Sequence, residues 1–128
     1  MVQLSPGRSP IVGVRWHAPS VLLVCRFVAA PADAPALLSR ARRALQLLTA
    51  ADGCLGGELG RSVDEPEHWV LAVRFASVDA YRRALSPFAV REHVIPLLSE
   101  AETDTPSTYE TLATARNGET EDRKSLLA

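Results

Sequence analysis

Residues 52–93, DGCLGGELGRSVDEPEHWVLAVRFASVDAYRRALSPFAVREH, constrain this fold most, because their order of stops and periodicities admits few architectures. Asp52-Gly53 ends a helix, glycine taking the left-handed cap conformation that a side chain resists. Leu55, Leu59 and Val63 mark a strand, Asp64-Glu65-Pro66-Glu67 a polar turn, and residues 68–75 a second, mostly apolar strand. Two strands joined by a short turn form an antiparallel hairpin. Ser77 opens a helical pattern with Tyr81, Ala84 and Leu85. Ser86-Pro87 reads as a fresh N-cap followed by proline at the first helical position, and Pro96 disfavours unbroken helix through Ile95.

Upstream, VLLVCRFV (residues 21–28) is a strand whose alternating sets are both nearly apolar: Val21, Leu23, Cys25 and Phe27, then Leu22, Val24, Arg26 and Val28. A sheet with one solvated face alternates apolar with polar residues, so this strand is expected to be covered on both sides. Pro31, Asp33 and Pro35 start a helix with Asp33 as N-cap, and Leu37, Leu38, Ala41, Ala44, Leu45 and Leu48 recur at helical spacing. Arg40, Arg42 and Arg43 lie off that stripe and form an anion site or, the commoner case, a charged outer face. Gly56, Gly57 and Gly60 mark a bulge or a subunit contact inside the hairpin arm. STYETLA (107–113) is the last strand.

Residues 1–20, broken by prolines and glycines, read as an arm in which residues 11–16 add an edge strand or pack on a partner, or remain a loose extension. Residues 115–128 read as a disordered tail, its terminal Leu126-Leu127-Ala128 being either a recognition peptide for a protein partner or an accident of composition.

A chain of 128 residues, 47% hydrophobic, suits one domain. Fourteen basic against 15 acidic residues leave no basic footprint for nucleic acid. No apolar run is long enough to span a bilayer, and the N-terminal region lacks a signal-peptide core, so the cytoplasm is the expected location. Cys25 and Cys54 fall in separate strands and are expected as free thiols. A nucleophilic Cys25 paired with His93 has no motif behind it.

The element order β, α, β, β, α, β is the split βαβ plan of an α+β, ferredoxin-like domain. Helices then cover one face of a four-stranded antiparallel sheet whose first and third strands are central. The apolar open face is expected to be buried in a homodimer.

The runs LGGELGRSVDEPEHWVLAVRF, ASVDAYRRALSPFAVREHVIPLL and PSTYETL, after the Asp52-Gly53 helix end, resemble the antibiotic biosynthesis monooxygenase family across residues 21–112. The resemblance implies a ferredoxin-like domain (21–114) that dimerises through its sheets into an α+β barrel. It leaves the reaction open, since members range from cofactor-free oxygenases of polycyclic phenols to haem-degrading enzymes. In the haem-degrading branch a Ser precedes the haem-ligating His by seven positions, as Ser86 precedes His93. That branch's strand Asn and helix Trp correspond here to Cys25 and Arg83, which removes the groups that orient oxygen and distort haem.

For the oxygenase branch the chemistry needs an apolar cavity, a base for a phenolic proton and a cation for the resulting anion. The candidates are His93 or His68 as base, Arg26 or Arg74 as anion stabiliser, and Trp69, Phe75, Tyr81 and Phe88 as substrate-binding walls. Each also has an ordinary structural role: the aromatics as core or interface, the arginines as partners of Glu58 or Glu110. No flavin or metal motif is present, so no cofactor and no metal are expected. The leading expectation is a homodimeric, cofactor-independent monooxygenase of a hydrophobic aromatic compound. A non-catalytic dimeric binding module comes second and haem binding third; an enclosed cavity lined by a histidine favours the enzyme, a filled core the module.

Overall fold

The computed structural model describes residues 19–127. The N-terminal arm lies outside them except for Pro19 and Ser20, as does Ala128.

Strand β1 (Val21–Val28) leads through a 3-10 turn (Pro31–Asp33) into helix α1 (Ala34–Thr49). The hairpin follows as β2 (Cys54–Arg61) and β3 (His68–Phe75), then α2 (Val78–Ala84), α3 (Phe88–His93), α4 (Ile95–Leu98) and β4 (Thr108–Glu110). The sheet order is β2-β3-β1-β4, with every pairing antiparallel. The fold is therefore the expected α+β sheet with β1 and β3 at its centre. Cys25 and Cys54 are separated by β3 and both are free.

Side-chain alternation decides what each face does. Val21, Leu23, Cys25 and Phe27 of β1, with Trp69, Leu71, Val73 and Phe75 of β3, face the helices and are buried. They pack with Ala41, Ala44 and Leu48 of α1, Ala80 and Ala84 of α2, Val90 of α3, Val94 and Leu97. Seven of these larger side chains, Phe75, Leu23, Leu48, Leu71, Leu97, Val73 and Val94, are fully enclosed. At about 1.5–3 kcal/mol for each such side chain, this layer is the main source of stability.

The local signals resolve in detail. Gly53 takes φ +84° after α1, and an added Cβ there would lie 2.6 Å from the Ala80 Cβ. Ser77 caps α2, its Oγ accepting the Ala80 N–H at 3.0 Å. Asp33 stands at the N-cap of α1 without a side-chain cap bond. Ser86 is not the cap of α3: that position belongs to Pro87, and the Ser86 Oγ donates back to the Arg83 carbonyl at 2.9 Å. The ladder slips between Cys54 and Gly56, where Gly56 has φ +130°, so the glycine run contains a bulge.

The C-terminal region departs from expectation. The last sheet strand is only three residues long, and residues 113–122, expected largely as disordered tail, form a second hairpin of β5 (Ala113–Arg116) and β6 (Glu119–Asp122). Asn117 and Gly118 turn it at φ +53° and +82°. Asn-Gly is the dipeptide that a two-residue turn with two positive φ values selects. The Arg123 N–H donates to the Leu112 carbonyl at 2.9 Å, and the Leu126 N–H to the Glu110 Oε1 at 3.0 Å, tying the hairpin's base to β4.

Candidate functional site

The open face of the sheet carries the even-numbered residues of its central strands. Leu22 stands opposite Arg74, Val24 opposite Ala72, Arg26 opposite Val70, and Val28 opposite His68. Leu22, Val24, Val70 and Ala72 are half-buried, while Arg26, Val28, His68 and Arg74 are exposed. At one end Leu22 also pairs with Tyr109 of β4. The bulge in β2 leaves Leu55 50% exposed at that same end.

Here the second hairpin and the sheet border an open cleft of about 980 Å³. Leu22, Leu55 and Arg74 line it from the sheet, and Thr114, Arg116, Glu119, Thr120, Glu121 and Arg123 from the hairpin side. Among the described residues, three guanidinium groups therefore meet two carboxylates around an opening with an apolar patch on one wall. Arg74 and Arg116 form no ion pair among the described residues. Arg123 is largely covered, its side chain 19% exposed; one terminal nitrogen lies 3.7 Å from the Glu121 Oε1, and its buried Nε has no hydrogen-bond partner.

The residues singled out from sequence are distributed by the sheet. Arg74 lines the cleft, whereas Arg26 and His68 share its face at a distance along the strands. Trp69 and Phe75 lie on the other face, inside the helical layer. Phe75 meets Tyr81 edge-on at 5.5 Å between ring centres, and the Tyr81 hydroxyl is 3.4 Å from the Thr108 Oγ1. The Arg61 guanidinium lies 5.3 Å above the Trp69 ring, whose buried Nε1 has no hydrogen-bond partner. Phe88 is 70% exposed, and His93 is exposed with its Nε2 3.5 Å from the Glu92 Oε1. The cleft therefore contains one of the eight candidates, and no histidine among the described residues lines it.

Haem finds no space between sheet and helices among the described residues. Cys25 is buried among aliphatic side chains, burial pushing its thiol pKa up, and the space between sheet and helices is taken by Phe75, Val90, Val94 and Leu97. His93 does not line the cleft.

Sequence reasoning overlooked Leu22, Leu55, Arg116 and Arg123. The signal that finds the last two is Asn117-Gly118, which brings β5 and β6 together. No helix among the described residues is long and apolar enough to cross a membrane.

The family model described as antibiotic biosynthesis monooxygenase matches residues 20–94. Among solved structures, a mutant of SnoaB, a cofactor-independent oxygenase from Streptomyces nogalater, is similar at 26% identity and TM-score 0.57, over 78% of this chain and 96% of that one. A candidate antibiotic biosynthesis monooxygenase from Deinococcus radiodurans is similar at 20% identity and TM-score 0.62, covering 76% and 96%. A protein from Shewanella oneidensis gives 19% and 0.61, covering 76% and 95%. No curated protein matches.

Proposed function

Because this chain belongs to the antibiotic biosynthesis monooxygenase family, we propose that it is a cofactor-independent monooxygenase of an electron-rich aromatic compound bound in the cleft on the open sheet face. The observation that carries this reading is Arg74, a cation without an ion-pair partner among the described residues, beside the apolar Leu22 and Leu55. The similarity to SnoaB supports the reaction class.

The chemistry asks little of the protein. A guanidinium beside a phenolic oxygen lowers the phenol's pKa by favouring the charged form. Solvent can then take the proton, and no histidine is required at the ring. The phenolate, or the enolate of an anthrone, donates electrons to oxygen, and a hydroperoxide forms at a ring carbon. Loss of water leaves a carbonyl: one oxygen atom enters the product, the other leaves as water, and the substrate supplies all the electrons. Arg74 stabilises the anion, and Leu22 and Leu55 hold the ring.

The partners in this reading are the aromatic substrate and a second copy of the chain. A homodimer formed through the open face covers Val24, Val28, Val70 and Ala72 beside the cleft. Cytoplasmic residence belongs to the same reading.

The filled interior between sheet and helices favours a second reading, a dimeric module that binds an aromatic ligand without oxidising it. Oxygen consumption by chelator-treated protein presented with anthrone and hydroquinones separates the two.

A further inference from the structure

The second hairpin is built almost entirely of exposed residues, and among the described residues its strands pair only with each other. An isolated two-stranded hairpin is marginal in water, so what it carries bears on why it is held over the sheet. It contributes two arginines to the cleft. Arg116 has Glu119 as its cross-strand neighbour yet makes no ion pair with it. Arg123 is mostly covered, and its Nε hydrogen meets no acceptor. A buried guanidinium donor without an acceptor is unfavourable unless a ligand or water supplies one. With Arg74 opposite, the described residues lining the cleft include three guanidinium groups and the two carboxylates of Glu119 and Glu121.

We propose that the hairpin wall is an oxyanion subsite, in which Arg116 and Arg123 hold a carboxylate or phosphate group carried by the ligand. A planar guanidinium presents paired N–H donors that match either group, and the threonine hydroxyls of the hairpin add neutral donors. The ring then lies against Leu22 and Leu55. The hairpin thus selects acidic aromatic ligands over neutral ones of equal size. This inference rests on the proposed site for the placement of the ring, but on no oxidation step.

The test is a binding titration under nitrogen at low salt with three probes: 1-naphthol, 1-hydroxy-2-naphthoate and 1-naphthyl phosphate. At least one anionic probe is expected to bind about tenfold tighter than 1-naphthol. The preference should shrink on adding salt and collapse in Arg116→Gln and Arg123→Gln, with Arg123→Lys retaining part of it. Tight naphthoate alone assigns a carboxylate ligand; tight phosphate alone assigns a phosphorylated one. Equal affinities for the three probes overturn the proposal, and so does a preference that both glutamine variants keep. Arg116 is exposed, so its replacement carries the test if Arg123→Gln fails to fold. Anionic preference without oxygen uptake leaves the subsite standing and removes the monooxygenase reading; uptake without anionic preference does the reverse.

Discussion

Leu22 and Arg74 face each other across the β1–β3 ladder, on the side of the sheet away from the helices, and both line the cleft beneath the second hairpin. An aliphatic side chain and a cation side by side suit a flat ring bearing an acidic oxygen.

Replacing Arg74 with glutamine keeps a donor but removes the charge. A bound naphthol should therefore ionise at lower pH in the wild-type protein than in Arg74→Gln, by about one pH unit or more. Absorbance titration of the bound phenol measures this directly. Turnover of a phenolic substrate should fall about tenfold to a hundredfold, with Arg74→Lys between the two.

Val70→Glu places a carboxylate on the apolar open face. Val70 pairs with Arg26 and Gly60 and belongs to no part of the helical core, so the domain should still fold. Light scattering should give twice 13.8 kDa for the wild type and one protomer for the variant. A wild-type monomer would remove the sheet-to-sheet dimer.

The two thiols should differ in chemistry. Cys25 is 3% exposed, and burial raises its pKa above the ordinary value of 9.0. Cys54 is half-buried, with its Sγ 3.4 Å from the Arg74 carbonyl oxygen. A thiol reagent should label Cys54 in native protein and reach Cys25 only on unfolding. A folded-state pKa raised above the unfolded one means that this contribution to stability is complete below about pH 9 and declines as pH rises beyond it. Cys25→Ala should flatten that alkaline decline in melting temperature.

The helix stop at Gly53 is intolerant where Gly60 is not. Gly53→Ala combines φ +84° with a Cβ contact of 2.6 Å to Ala80 and should destabilise the protein by about 1–3 kcal/mol. Gly60 offers an added Cβ an ordinary 3.5 Å contact with the Val70 Cγ1, and Gly60→Ala should cost less than about 1 kcal/mol. Chemical denaturation of both variants checks the difference.

The fold was legible because burial writes a period into each element. VLLVCRFV and HWVLAVRF are apolar enough to be central strands, and Gly53, Ser77 and Pro87 stand where helices end or begin. The site was legible only in Arg74. Trp69 and Phe75 differ from Arg74 in strand parity, and parity alone places them on the opposite face of a single-layer sheet. Polar flanks hid the second hairpin: ATAR and ETED have no apolar face to reveal them as strands, and the turn chemistry of Asn117-Gly118 was the readable sign. The cleft depends on where that hairpin stands relative to Leu22, Leu55 and Arg74, a long-range placement that no local pattern encodes.

Oxygen uptake by chelator-treated protein supplied with anthrone or a dihydroxynaphthalene tests the central claim most directly. The account predicts saturable uptake above the buffer rate, one carbonyl oxygen gained per oxygen molecule consumed, and a marked loss in Arg74→Gln. Uptake no faster than buffer across these substrates, by protein that binds them, would contradict it and leave a binding module.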